Sequence, residues 1–305
     1  MTEVSNQDLS DALASNYMLV DMQLRSWSGK RTDRGASDEL IQAKNAARDS
    51  GAFVKNLLAS AGQELKEVHT MGNALRTFVY NQTLPWSSSD GAKRGERILS
   101  TTKAMTFLSE LNALKKEYDR AVLALVSVWP QRVAEAMRNL GALADSADYP
   151  DASQLPSMFS VSVDLKPIPA ISDYRRLSVP AELQDALGER HKVAAQVQVQ
   201  NAMNDLRDRF IEELQRIERQ MSKVANGEKT RLYDSLITNM QLLVEMAGSM
   251  NLTNNPKLQE LVARIEKKIL ARPVSAYKED THAATVLASD AASLAVEAAL
   301  EEVWQ

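Results

Sequence analysis

Cysteine is absent from this 305-residue chain. No disulfide, thiolate nucleophile, iron–sulfur cluster or cysteine-based zinc site can therefore form within it. The absence fits a reducing compartment and leads us to expect a cytoplasmic protein. Histidine is nearly as scarce: His69, His191 and His282 fall on three separate expected helices, with no HExxH or other paired spacing. We expect no metal and no cofactor. A GxSxG nucleophile elbow is also missing. Long apolar runs are lacking too. The longest, 121–129, is broken by Ser127 and is far shorter than the ~20 residues a spanning helix needs. The opening residues show no basic stretch followed by an apolar one, so we expect neither a leader nor a membrane partner. Aromatics make up only 5%, and the net charge is −4, from 36 basic and 40 acidic residues, so any nucleic-acid contact must come from a local patch.

What is present favours helices. Ala, Leu, Gln, Met and Glu are abundant, and straight side chains lose little rotamer freedom in a helix. Two segments alternate instead. In 17–27 (YMLVDMQLRSW), Met18, Val20, Met22 and Leu24 share one parity. In 159–165 (FSVSVDL), Phe159, Val161, Val163 and Leu165 do the same, and Pro167 and Pro169 follow. Period 2 predicts strands, and an isolated strand has nowhere to satisfy its backbone groups, so the two are expected to pair. The rest is expected to be helical, with a helix opening after Ser37 and a loop over Thr83–Gly95.

Two long helices carry seams spaced by three and four. Phe107, Leu111, Leu114, Tyr118, Ala121, Leu125 and Val128 mark the first, which Pro130 should kink or break. The second runs from about Pro180 to Ala225, with Met203, Leu206, Phe210, Leu214, Ile217, Met221 and Val224 in its later half. About 45 residues span roughly 65 Å, and the 100–141 helix is the expected partner. Asn226-Gly227 should end that helix, Asn255 or Asn254 should cap the next-but-one before Pro256, and an acidic, Ala-rich helix should close the chain. The expected fold is mainly α: an elongated antiparallel long-helix arm, coiled-coil-like, plus a helical bundle and a two-stranded β element (about 17–27 and 159–165). Three regions follow in order: 1–100, 101–225 with the inserted strand, and 226–305.

The candidate chemistry is slight. SWSGKRTDRG (26–35) has a Gly-Lys pair, but Arg31 replaces the Walker hydroxyl and Leu24 stands where that loop needs its first glycine. Nucleotide hydrolysis is not expected there. The basic residues suggest an anion or single-stranded DNA contact: Arg25, Lys30, Arg31 and Arg34 beside Trp27, and Lys93, Arg94 and Arg97 near Trp86. Arg175 and Arg176 beside Tyr174 form a smaller third group. The competing reading is a set of solvated turns with both tryptophans in the core. Carboxylate pairs such as Glu212-Glu213 and Glu301-Glu302 read as helix surface. Met240, Met246 and Met250 read as core or as an adaptable partner surface. No catalytic residue is expected.

The order of the segments carries a resemblance. A strand leading to WSGKR, the FSVSVDLKPIP strand, a VPAEL helix start and DSLITNMQLLVEMAGSMNLTNNPKLQEL together resemble an uncharacterised helical family of bacteriophages and bacteria. The resemblance covers roughly 17–270. Members of that family are often encoded beside a MoxR-type AAA+ ATPase and a von Willebrand A-domain protein. The resemblance implies a phage or bacterial cytoplasmic protein with an ATPase partner, and supplies no catalytic residues. The leading expectation is a non-enzymatic scaffold or adaptor that self-associates or binds such an ATPase. The alternative is single-stranded DNA binding through 25–34 and 93–97. On that alternative, charge reversal at Lys30 and Arg31 abolishes a salt-sensitive gel shift of single-stranded DNA; an unchanged shift counts against it.

Overall fold

The computed structural model describes residues 6–87, 95–170, 173, 178–278 and 280–305. Among them are eight α-helices: α1 (Asn6–Asn16), α2 (Arg34–Ala43), α3 (Gln63–Gln82), α4 (Ala104–Leu140), α5 (Ala181–Ala225), α6 (Ser235–Ser249), α7 (Pro256–Lys268) and α8 (Thr281–Ala298). The strands are β1 (Tyr17–Arg25), β2 (Lys30–Asp33), β3 (Phe53–Asn56), β4 (Leu84–Pro85), β5 (Arg97–Ser100) and β6 (Ser160–Pro167). The protein is mainly helical, as the composition predicts.

The expected strands do pair, within a larger sheet. Its order is β4-β5-β1-β6, and a separate antiparallel pair joins β2 to β3. Tyr17 lies opposite Ser100 and Val20 opposite Arg97, while Leu84 lies opposite Ile98. The two-stranded expectation is therefore corrected to four strands plus two. The strands it omits are two to four residues long, too short to show a period. The one-face reading of β1 also changes, because Leu19 and Val20 are both buried and both faces are covered. In β6 the alternation holds, with Val161 buried and Val163 and Leu165 half-buried between exposed neighbours.

The chain forms two compact units, neither continuous in sequence. One holds Met1–Met22, Val79–Phe107 and Val163–Gln305; the other holds Gln23–Phe78 and Leu108–Ser162. The three consecutive regions of the sequence reading do not coincide with these units, because β1, α3, α4 and β6 each begin in one and end in the other.

In the second unit, α3 buries Leu65, Val68, Gly72 and Leu75, and α4 buries Leu111, Tyr118, Ala121, Leu125 and Trp129. Leu114 and Val128 of the expected α4 seam are half-buried. Gly72 leaves room for close approach: a Cβ there would lie 3.5 Å from both Leu24 and Tyr118. Arg132 grips Glu64 with a two-pronged pair, Nε–Oε2 2.9 Å and Nη2–Oε1 2.6 Å, the geometry that makes guanidinium–carboxylate contacts strong. Pro130 does not end α4, which runs on to Leu140. Its ring nitrogen has no hydrogen for the Val126 carbonyl.

In the first unit, α5 packs on α6 and α8. Its seam residues Met203, Leu206, Phe210, Leu214, Ile217, Met221 and Val224 share one core with Met240, Leu261, Ile265, Leu287, Ala291 and Trp304. The C-terminal helices thus bury the seam that the sequence reading assigned to 100–141. Thr281 lines one groove with Val224, and Trp304 lines another with Asn204, so α8 runs antiparallel to the later half of α5. Pairs between α7 and α8, Arg264–Glu297 and Lys268–Asp290, show that these two are also antiparallel. The expected ends hold. Gly227 adopts φ 73, its N–H donates to Val224, and the Glu228 N–H donates to Lys223, the paired bonds of a left-handed helix stop. The Asn255 side chain caps α7 by accepting from the Lys257 N–H at 2.8 Å. Its amide also donates to the carbonyls of Glu302 and Gln305, both at 2.8 Å, and so holds the C-terminal segment against the start of α7.

Phe210 is fully buried, with its ring 5.8 Å from that of Trp304. We expect Phe210→Ala to cost roughly 3–5 kcal/mol, measured as a lowered urea midpoint for the transition reported by Trp304 fluorescence.

Candidate functional site

Part of the expected basic site, Trp27, Arg31 and Arg97, is engaged in internal contacts. Around Gly29 the chain turns with φ 66, and an added Cβ would strike Leu65 at 2.6 Å. The Gly29 carbonyl accepts from the Leu57 N–H at 2.8 Å. Trp27 is half-buried, with its ring edge-on to Trp129 at 5.4 Å, and its carbonyl accepts from His69 Nε2 at 2.9 Å. Lys30 and Arg31 lie on β2 rather than in a loop.

Arg31 is spent on a clamp. Its Nε lies 3.1 Å from Asp148, and its Nη1 donates to the Ala147 carbonyl. Lys55, only 6% exposed, sits between Asp148 at 2.6 Å and Asp33 at 2.9 Å, and donates to the Leu143 carbonyl. Asp33 also caps α2, accepting from the Ala36 N–H at 3.0 Å. Four charged groups from β2, β3 and the 146–148 turn therefore sum to zero. The Ala36 N–H, and then Lys55, hold the Asp33 carboxyl below its ordinary range. Asp148, then Asp33, raise the Lys55 ammonium. The clamp joins groups some ninety residues apart in sequence, and no local pattern announces it. Only Arg25, Lys30 and Arg34 of the first basic group are left exposed without an ion pair among the described residues.

Arg97 is not a surface cation. It is 4% exposed, and its guanidinium donates to the Thr83 hydroxyl at 2.6 Å and the Thr83 carbonyl at 2.8 Å. Beside it Arg209 lies 3.6 Å above the Tyr80 ring, donates to the Tyr80 carbonyl, and pairs with Asp205 at 2.6 Å. Burial, and then Arg209, push Arg97 down to about 10, so it stays charged at neutral pH. Burial raises the Asp205 carboxyl, with Arg209 opposing. The expected DNA contact at Arg97 is therefore replaced by an internal role, because β5 is an inner strand of the sheet. Lys93, Arg94, Tyr174, Arg175 and Arg176 lie outside the described residues.

A groove of about 680 Å³ is lined by residues from Gly227 to Asp234, with Lys278 and Thr281. It mixes Lys229, Arg231 and Lys278 with Glu228 and Asp234 and holds no histidine. Among the described residues, no group of three or more His, Asp or Glu is placed to hold a metal ion. No described helix is long and apolar enough to cross a membrane.

The first half of α5 offers a different surface. Leu183 (46% exposed), Ala186, Arg190, Val193 (57%) and Val197 (55%) are spaced by three, four, three and four, and all are exposed. They form one stripe about 20 Å long. On the opposite side Gly188, Ala195, Val199 and Ala202 are buried. The strand-like QVQVQ run is thereby explained: Val197 and Val199 stand roughly 200° apart on a helix, one outward and one inward. The signal for this stripe was in the sequence, at the same spacing as the later seam. Only the coordinates show that it is left bare where the later seam is covered.

No family model matches the chain, and no curated protein or solved structure matches it either.

Lys55→Met is expected to destabilise the unit containing β2 and β3 by roughly 3 kcal/mol, since it leaves two carboxylates facing one arginine. Chemical denaturation read by Trp27 and Trp129 tests this. Asp33 is held below its unfolded value, so its contribution is present above about pH 4 and is lost as pH falls through the folded value. Acid titration of the wild type should therefore loosen this unit below about pH 4, whereas a midpoint nearer neutrality would contradict the assignment.

Proposed function

We propose that this chain is a non-enzymatic interaction protein, a scaffold or adaptor in a phage or bacterial assembly. The observation that carries the reading is the exposed heptad stripe Leu183–Val197, a coiled-coil face without a described partner on a helix of 45 residues. The order of segments resembling a family encoded beside MoxR-type AAA+ ATPases supports an ATPase or von Willebrand A-domain protein as partner. Both buried clusters favour the reading too. Their charged groups pair with, or stack on, the protein's own groups, which favours a role in the fold over one on a substrate.

The alternative, single-stranded DNA binding, now rests on Arg25, Lys30 and Arg34 together with Lys93 and Arg94. It has lost Arg31 and Arg97 to internal contacts and Trp27 to an aromatic pair.

A pull-down of the tagged chain from a bacterial host, read by mass spectrometry with and without nuclease, separates the two. We expect a nuclease-resistant AAA+ ATPase or von Willebrand A-domain protein in the eluate, and no turnover in screens for nucleotide, phosphodiester and peptide hydrolysis. Recovery of nucleic acid alone would favour the alternative, and hydrolysis by the purified chain would overturn both.

A further inference from the structure

We infer that the exposed stripe of α5 pairs with the same stripe of a second copy of this chain, antiparallel and centred near Gly188. The inference rests on the reading of the chain as an interaction protein. The stripe is self-complementary in one direction only. Centred at 188, the antiparallel pairing puts Leu183 opposite Val193 of the second copy and Arg190 opposite its small Ala186. The seam then has no large-on-large clash at its middle, where the one charged seam residue lies.

Charge points the same way. The first turns of α5 carry Glu182, Asp185 and Glu189, and the next turn carries Arg190 and Lys192. Antiparallel pairing lays the acidic turns of each copy along the basic turn of the other. Parallel pairing would set Arg190 against Arg190 at a seam position and acidic turn against acidic turn, which costs stability. A two-fold contact of this kind uses one patch twice and closes on itself, the commonest form of association.

The size of the patch sets its strength. The stripe from Leu183 to Val197 forms a contact about 20 Å long. This belongs with the smaller interfaces, under about 1,200 Å², the class of weak and transient encounters. The later half of α5 cannot extend it, because α8 already lies there.

Sedimentation equilibrium from about 1 to about 200 μM, a range suited to weak association, tests the pairing. The mass should rise from 33.7 kDa toward twice that value. Val193→Glu with Val197→Glu should raise the dissociation constant at least about tenfold with unchanged helical circular dichroism. The cysteine-free background makes the orientation testable. Leu183→Cys with Val193→Cys should cross-link into a covalent dimer under mild oxidation. Val197→Cys alone should not, because antiparallel copies hold those residues about 27 Å apart along the axis. A wild type that stays at 33.7 kDa throughout, or cross-linking of Val197→Cys without that of the double variant, overturns the inference. A monomer that still retains a host ATPase removes this inference alone, and a dimer that retains no partner removes the adaptor reading alone.

Discussion

Everything in the larger unit depends on what covers α5. A helix of 45 residues presents far more apolar surface than one neighbour can bury, and its free energy of formation comes mainly from packing rather than propensity. The later half meets α6 and α8, and its seam closes into a core with almost no exposed member. Among the described residues, the earlier half is buried on one side, where Ala195 and Val199 join the cluster that also contains Leu13 and Ile168. The change occurs near Asn204, where α8 has ended and Trp304 and Gln305 fold over. The helix is therefore two objects in one: a structural half and a presented half.

The two buried charge clusters show how the same residue types divide between roles. Basic residues beside tryptophan in a loop look like a nucleic-acid contact when only the sequence is read. In the fold, Arg31 is drawn to Asp148 and Lys55 settles between two carboxylates. Removing a charge from water is costly, and a buried lysine at 6% exposure is tolerated because two opposite charges and a carbonyl surround it. Arg97 and Arg209 are handled differently, with one carboxylate, one aromatic ring and backbone carbonyls between two cations. Both arrangements tie down short strands, which have few ladder bonds of their own.

The legible parts of the fold were those set by local physics. Gly227 and Asn255 declared the ends of helices because left-handed turns and side-chain caps need those residue types at those places. The alternation of 159–165 declared the strand found at Ser160–Pro167, and the spacing of Met203 to Val224 declared a seam. What stayed hidden was long-range. Nothing near Lys55 names Asp148, nothing near Arg97 names Arg209, and the four-residue strands carry too few residues for any period. The assignment of the α5 partner failed for the same reason. Matching lengths suggested 100–141, whereas small residues on α8, Ala284, Ala288, Ala291, Ala295 and Ala298, let that shorter helix lie close along α5. The stripe at 183–197 was visible as a pattern, but a pattern does not say whether it is covered.

The edge-on pair of Trp27 and Trp129 has an optical consequence. Two indoles at 5.4 Å couple their transitions, and Tyr149 stands a further ring contact away from Trp129 at 6.3 Å. The smaller unit thus carries a chiral chromophore cluster of its own, while Trp86 and Trp304 sit in the core of the larger one. Near-ultraviolet dichroism should be dominated by the first group and tryptophan emission should be shared by both. Each half of this discontinuous chain therefore has a built-in spectroscopic label, and its loss of order can be watched separately.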